Sequence, residues 1–137
     1  MTLCDTSFFV SLIDRKQKSF AACNQLFPSL APPLITTWPC ITEGMHLLGR
    51  RPSGWQMQKS LSSLLLRRIL TIYDLESANY SRLFSLMIQY RDTPMDLADA
   101  SLVLAAEKTG ERQILTLDSD FLVYRINGKE AFEILKI

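Results

Sequence analysis

Four acidic residues stand far apart in this chain, each beside the start or end of a predicted element. They are Asp5 after Met1-Thr2-Leu3-Cys4, Glu43 after Trp38-Pro39-Cys40-Ile41-Thr42, Asp99 after Met95-Asp96-Leu97-Ala98, and Asp118 after Ile114-Leu115-Thr116-Leu117. Acids dispersed in sequence converge in space when they sit at the tips of neighbouring elements. Converged carboxylates repel one another, and a proton or a cation relieves the repulsion. Oxygen ligands of this kind suit a hard divalent metal, and such a metal suits phosphate chemistry.

Each acid also has a purely structural reading. Asp5, directly before Thr6-Ser7, can cap a helix. Asp96 and Asp99 lie three apart at a helix start, where negative charge meets the helix dipole. That explains Asp96 better than Asp99, because Ala98, Ala100 and Leu102 around Asp99 indicate burial. Asp118 and Asp120 flank Ser119, and an Asp-Ser-Asp turn is ordinarily solvated. Arg50-Arg51 lies in a loop shortly after Glu43 and is placed to reach a phosphate.

Other chemistries are poorly supported. Glu43 and His46 form a Glu-x-x-His pair, but a di-iron bundle needs two such pairs and His46 is the only histidine. No G-x-S-x-G, G-x-x-x-x-G-K-[ST] or G-x-G-x-x-G is present. Leu117-Asp118-Ser119-Asp120 has the D-x-D form of aspartyl-phosphate phosphatases. Phe121-Leu122 then stands where a small polar residue is expected, and too little chain follows to complete that sheet.

The elements that must position these acids follow from periodicity. Leu3-Cys4 reads as a short strand, and Phe8, Phe9, Leu12 and Ile13 have helical spacing. A second helix is expected over Lys18–Phe27, stopped by Pro28. Leu34-Ile35-Thr36 reads as a strand, and Pro39 suits the first turn of a helix carrying Glu43, Leu47 and Leu48. Ser53 and Gln56 form a capping-box pattern for a helix bearing Leu61, Leu64, Leu65 and Arg68. Leu70–Tyr73 reads as a strand. Glu76–Tyr90 reads as a helix with Leu83, Leu86, Met87 and Tyr90 on one face. Thr93-Pro94-Met95-Asp96 is a helix start, and that helix ends near Gly110. Gln113–Leu117 and Phe132–Leu135 complete the strands. Alternating helices and short apolar strands predict an α/β fold around a mostly parallel sheet. Ligands in such sheets bind beyond the carboxyl ends of the strands, where Asp5 and Asp118 fall.

With 137 residues, 47% apolar and 21% charged, the chain is expected to form a single domain, 1–137, with a sizeable core. A net charge of +1 gives weak overall attraction to nucleic acid, so binding to it needs a local basic patch or a metal. Cys4, Cys23 and Cys40 are odd in number and form no C-x-x-C pair, which fits a reducing, cytoplasmic setting. Asp5 and Asp14 interrupt the N-terminal apolar stretch, so no signal peptide is expected. The uncharged segment from Ser19 to Thr42 is broken by Pro28, Pro32, Pro33 and Pro39, so no membrane span is expected either.

Four segments together resemble the PIN-domain ribonucleases. They are Leu3-Cys4-Asp5-Thr6-Ser7-Phe8-Phe9, Ile41-Thr42-Glu43-Gly44-Met45-His46-Leu47-Leu48, Asp96-Leu97-Ala98-Asp99-Ala100-Ser101-Leu102-Val103 and Leu115-Thr116-Leu117-Asp118-Ser119-Asp120-Phe121. Their order and spacing cover nearly the whole chain, and its size resembles the VapC-type toxins of toxin–antitoxin pairs. The resemblance implies a three-layer α/β/α fold with a mostly parallel sheet flanked by helices. It implies a site for Mg²⁺ or Mn²⁺, with Asp5, Glu43, Asp99 and Asp118 matching the acidic quartet. Ser7 and Thr116 match polar supporting positions, and Asp96 and Asp120 are auxiliary acids. Asp118 is preferred over Asp120 because it is read as directly following its strand. The implied function is metal-dependent cleavage of RNA, with a cognate antitoxin as partner. The alternatives are a catalytically silent PIN-like module that binds RNA or protein, and a phosphatase on a similar sheet. A homodimer is expected because the face formed by Leu83, Leu86, Met87 and Tyr90 exceeds what one core can bury.

Overall fold

A computed structural model describes all residues, 1–137. In chain order the elements are β1 (Thr2–Cys4), α1 (Thr6–Ile13), α2 (Phe20–Leu26), β2 (Leu34–Thr36), α3 (Trp38–Gly49), α4 (Gly54–Leu66), β3 (Leu70–Ile72), α5 (Tyr80–Gln89), α6 (Leu97–Thr109), β4 (Gln113–Leu115), β5 (Arg125–Ile126), β6 (Glu130–Ala131) and β7 (Glu133–Ile134). Short 3₁₀ turns occupy Phe27–Ser29, Ser77–Asn79 and Ser119–Leu122.

Five strands form one sheet in the order β3-β2-β1-β4-β7, and every pairing in it is parallel. Helices flank it, as the sequence predicts. The chain steps outward from β1 to β2 and β3, then crosses back to set β4 on the other side of β1. The crevice between the ends of β1 and β4 is therefore where connections diverge, and side chains placed there face open space. The register pairs Leu3 with Ile114 and Cys4 with Leu115, so Asp5 and Thr116 emerge side by side.

The strands are short, and β1 and β2 are buried at every position, as parallel strands under helices must be. Leu3, Cys4, Ile114 and Leu115 are fully buried. Helix α6 is buried at every position from Ala98 to Ala106. Its small residues, Ala98, Ala100, Ser101, Ala105 and Ala106, let neighbours approach closely. Helix α3 meets α1 at Gly44, where a Cβ would overlap the ring of buried Phe9. Arg82 of α5 holds Glu107 of α6 bidentately at 3.0 and 2.8 Å, and Glu107 also accepts the Asn127 amide at 2.7 Å.

Several expected boundaries move. Ser53 does not cap α4: its φ is 62° and its side chain makes no capping bond. The corner between α3 and α4 is too tight, since a Cβ on Gly54 would lie 2.6 Å from the carbonyl oxygens of both Leu48 and Gly49. Thr93-Pro94 does not begin α6. The Thr93 amide closes a turn onto Tyr90, and Asp96 is the cap. Helix α5 begins at Tyr80, because Glu76 and Asn79 cap a 3₁₀ turn before it. Strand β4 ends at Leu115 and β7 spans only Glu133–Ile134. The antiparallel β5–β6 hairpin was not foreseen, although its turn carries Asn127-Gly128, both at positive φ.

The face expected to be exposed on α5 is packed: Leu83 and Leu86 are buried, and Met87 and Tyr90 lie against the core. The apolar residues of α5 that stay exposed are Tyr80, Phe84 and Ile88, one turn apart on an adjacent face. No helix is long and apolar enough to cross a membrane.

Candidate active site

Asp5 ends β1 and caps α1, its Oδ1 accepting the Thr6 amide at 2.8 Å. Its Oδ2 accepts the Thr116 hydroxyl at 2.8 Å and the Ser7 hydroxyl at 3.1 Å. Ser7 in turn accepts the Leu117 amide at 2.9 Å, and Thr116 accepts the Asp118 amide at 2.9 Å. Both hydroxyls thus tie the segment after β4 to the Asp5 carboxylate, and each holds its place by accepting a backbone amide.

Asp99 reaches the same region from α6. It forms a reciprocal capping box with Asp96: the Asp99 amide donates to Asp96 Oδ1 at 2.8 Å, and the Asp96 amide to Asp99 Oδ2 at 3.2 Å. The Tyr124 hydroxyl also donates to Asp99 Oδ2 at 3.2 Å. Tyr124 is fully buried among aromatic neighbours, its ring centroid 5.2 Å from Tyr90 and 5.1 Å from Phe121, both edge-on. Tyr124 was not foreseen, since no spacing or motif links a lone tyrosine to a helix start some twenty-five residues earlier.

The deep acids are electrostatically strained. Burial, against the hydrogen bonds from Thr116, Ser7 and Thr6 and with the Glu43 charge adding to it, pushes the Asp5 carboxyl up to about 6. Burial also pushes Asp99 up to about 8, the Asp96 amide opposing and the Asp96 and Asp5 charges adding. A shift of about two units in Asp5 means that its ionised form costs about 3 kcal/mol of stability. Cys4 and Cys40 lie beside Asp5; burial and then the Asp5 charge raise both thiols, Cys40 to about 11. Without a metal both thiols stay neutral, which disfavours a thiolate nucleophile. The buried Thr36 hydroxyl has no hydrogen-bond partner.

The remaining acids surround this pair. Glu43, in the middle of α3, is felt by Asp5, and with Asp96 it lines a cleft of about 550 Å³. Asp96 is exposed and Asp118 and Asp120 are half-buried. Asp118 does not directly follow its strand: Thr116 and Leu117 intervene, and Asp118 Oδ1 caps the 3₁₀ turn through the Asp120 amide at 2.9 Å. Burial raises the Tyr124 hydroxyl most, followed by the charges of Asp99 and Asp120, with Asp118 acting more weakly. His46 is exposed on α3.

Ser7, Ser11, Arg50 and Arg51 line a second cleft of about 610 Å³. Arg51 Nε lies 3.3 Å from Asp14 Oδ2, whereas Arg50 is exposed and makes no ion pair.

The donor set is carboxylate and hydroxyl oxygen throughout, which suits a hard divalent cation. The charge of Asp5 raises Asp99 and that of Glu43 raises Asp5, and such an ion relieves both. As the side chains stand, no three of them share a ready cage. Asp5 and Asp99 spend their oxygens on Thr116, Ser7, Tyr124 and the Asp96 amide instead.

Residues 2–127 match the PIN domain family. No curated protein matches the sequence. Among solved structures, that of the Mycobacterium tuberculosis sarcin-ricin loop cleaving toxin VapC20 is similar in fold. Its TM-score is 0.80 at 18% identity, covering 88% of this chain and 92% of that one.

Proposed function

This chain belongs to the PIN-domain family, and from that premise we propose that it is a metal-dependent endoribonuclease and the toxin of a toxin–antitoxin pair. One observation carries the reading. Asp5 and Asp99, from different elements, are buried together at the carboxyl ends of the strands, each raised by burial and by neighbouring acids. A module that only bound protein or RNA gains nothing from strained carboxylates that repel a phosphate backbone, whereas a cation site needs them.

Asp5 and Asp99 hold Mg²⁺ or Mn²⁺, with Asp118 and, directly or through water, Glu43 completing the set. When bound, the ion lowers the pKa of water and neutralises charge on the phosphoryl group under attack. The chain's own residues prepare for this. Ser7 and Thr116 fix the direction of the Asp5 carboxylate. Tyr124 and the Asp96 amide fix that of Asp99. Arg50, free of any ion pair, neutralises a neighbouring phosphate of the strand. Asp96 and Asp120 are auxiliary acids at the rim.

The partner is a small antitoxin that offers a guanidinium to the carboxylates and so competes with metal or substrate. Self-association is expected through the exposed stripe of α5.

Incubation with single-stranded RNA, DNA of the same sequence, and a phosphomonoester separates the readings. RNA is cut internally when Mn²⁺ or Mg²⁺ is present and left intact with EDTA. Hydrolysis of the phosphomonoester with RNA intact would establish a phosphatase in its place.

A further inference from the structure

The cleft that Glu43 and Asp96 share has one apolar wall that the catalytic reading does not use. Trp38, Pro39, His46 and Leu97 line it with the two acids. Trp38 is 55% exposed, although tryptophan is among the residues that gain most from burial. It is not a loose surface residue. It opens α3, its carbonyl accepts the Thr42 hydroxyl at 3.0 Å, and Pro39 follows it. Thr37 before it is fully buried, its hydroxyl 2.6 Å from that of Ser101 in α6. The indole thus stands on a rigid base, tied to the helix that carries Asp99. Trp55, 74% exposed at the start of α4, has no acidic residue in its first turn.

We propose that Trp38 is a stacking platform for one nucleobase of the RNA strand, next to the phosphate that is cut. The inference rests on the ribonuclease reading and adds to it a positioning residue. Three features select this occupant over an apolar peptide. The cleft borders the carboxylate site, since its Asp96 is capped onto Asp99 and its Glu43 acts on Asp5, so a strand crossing that site runs onto Trp38. An open aromatic face accepts any base by stacking. Its rim offers an acceptor: Asp96 Oδ1 takes the Asp99 amide, leaving Oδ2 to accept an N–H group from a base edge. Arg50 lies twelve residues further along α3, about 18 Å at 1.5 Å per residue. Helix α3 therefore offers a base seat at one end and a phosphate contact at the other, with Glu43 between them.

The test uses cleavage and binding. Steady-state cleavage of a short single-stranded RNA is measured for wild type, Trp38→Ala and Trp38→Phe. Loss of one stacked base raises KM about tenfold in the alanine variant with kcat little changed, and phenylalanine restores most of it. Because Trp38 is exposed, the alanine variant should melt like wild type. Binding is read separately in the Trp55→Phe/Asp99→Asn protein, where Trp38 is the only tryptophan and cleavage is blocked. RNA should quench its fluorescence saturably, and an oligonucleotide with abasic residues should not. Wild-type cleavage with an unchanged KM in Trp38→Ala overturns the platform alone, as does RNA binding without quenching. A defect confined to binding a protein partner overturns it as well and assigns the cleft to that partner. Absence of any RNA cleavage by wild type overturns the ribonuclease reading itself.

Discussion

Asp99 and Asp96 sit three residues apart, and the structure gives them different work. Asp96 is exposed and caps α6, while Asp99 is buried and held by Tyr124. Asp99→Asn keeps an acceptor for the Asp96 amide and removes a charge that its surroundings disfavour. It is expected to lower RNA cleavage by several orders of magnitude while leaving apo stability equal or higher. Asp96→Asn retains the cap and should reduce cleavage far less. The opposite ranking, with the two circular dichroism melts alike, would assign the catalytic role to Asp96. The pH dependence of stability follows from the same burial. Both deep carboxyls hold a proton more tightly when folded than the unfolded value of about 4 allows. The native state therefore binds excess protons from that value up to about 6 for Asp5 and about 8 for Asp99, and stability falls as pH rises through this window. Relative to wild type, metal-free Asp5→Asn/Asp99→Asn should gain melting temperature steadily between about pH 4 and pH 8. A difference that stays constant with pH contradicts the strain. The deep acids were legible because each follows or opens an apolar element. Tyr124 was not, because what places it at Asp99 is aromatic packing with Tyr90 and Phe121, which only folding creates.

Elements place these residues through close packing, and Gly44 is the sharpest case. Any Cβ there meets the Phe9 ring, which is fully buried and cannot swing away. Gly44→Ala is expected to destabilise by about 1–3 kcal/mol, despite the better helix propensity of alanine. Because Glu43 is the adjacent residue, cleavage should fall in addition to stability. An urea midpoint equal to that of wild type would show that α1 and α3 have slack. Periodicity, together with start and stop signals for α6, located all six helices and the five strands of the main sheet; α6 is buried all round and shows no period of its own. Boundaries were less legible. Ser53 and Thr93 have capping chemistry, but the α3–α4 corner forces one into a left-handed conformation and a turn from Tyr90 takes up the other. The β5–β6 hairpin is too short to show alternation, and only its Asn127-Gly128 turn announces it.

At the scale of the whole molecule, the order of the strands does the converging. Placing β4 beside β1 sets Thr116 against Asp5, although 111 residues separate them. The acidic pattern anticipated that meeting; the sequence alone did not decide between Asp118 and Asp120, because both lie in one turn whose cap fixes their directions only after folding. The association surface was misplaced for a similar reason. Helical spacing marks one apolar face on α5, and the core takes its Leu83 and Leu86. If two copies pair, they do so through Tyr80, Phe84 and Ile88, and Phe84→Glu/Ile88→Glu should sediment as a monomer where wild type sediments as a dimer. A dimer that survives both charges places the contact elsewhere. The central claim is that the acids act as one cation site in RNA cleavage. It is tested most directly by melting wild type and Asp5→Asn/Asp99→Asn with and without Mn²⁺, alongside cleavage of RNA by the same samples. An ion that binds only the folded site raises its melting temperature. Mn²⁺ should raise the melting temperature of wild type by several degrees, leave the double variant nearly unmoved, and support cleavage by wild type alone. An equal rise in both proteins, or equal cleavage by both, would contradict the shared site.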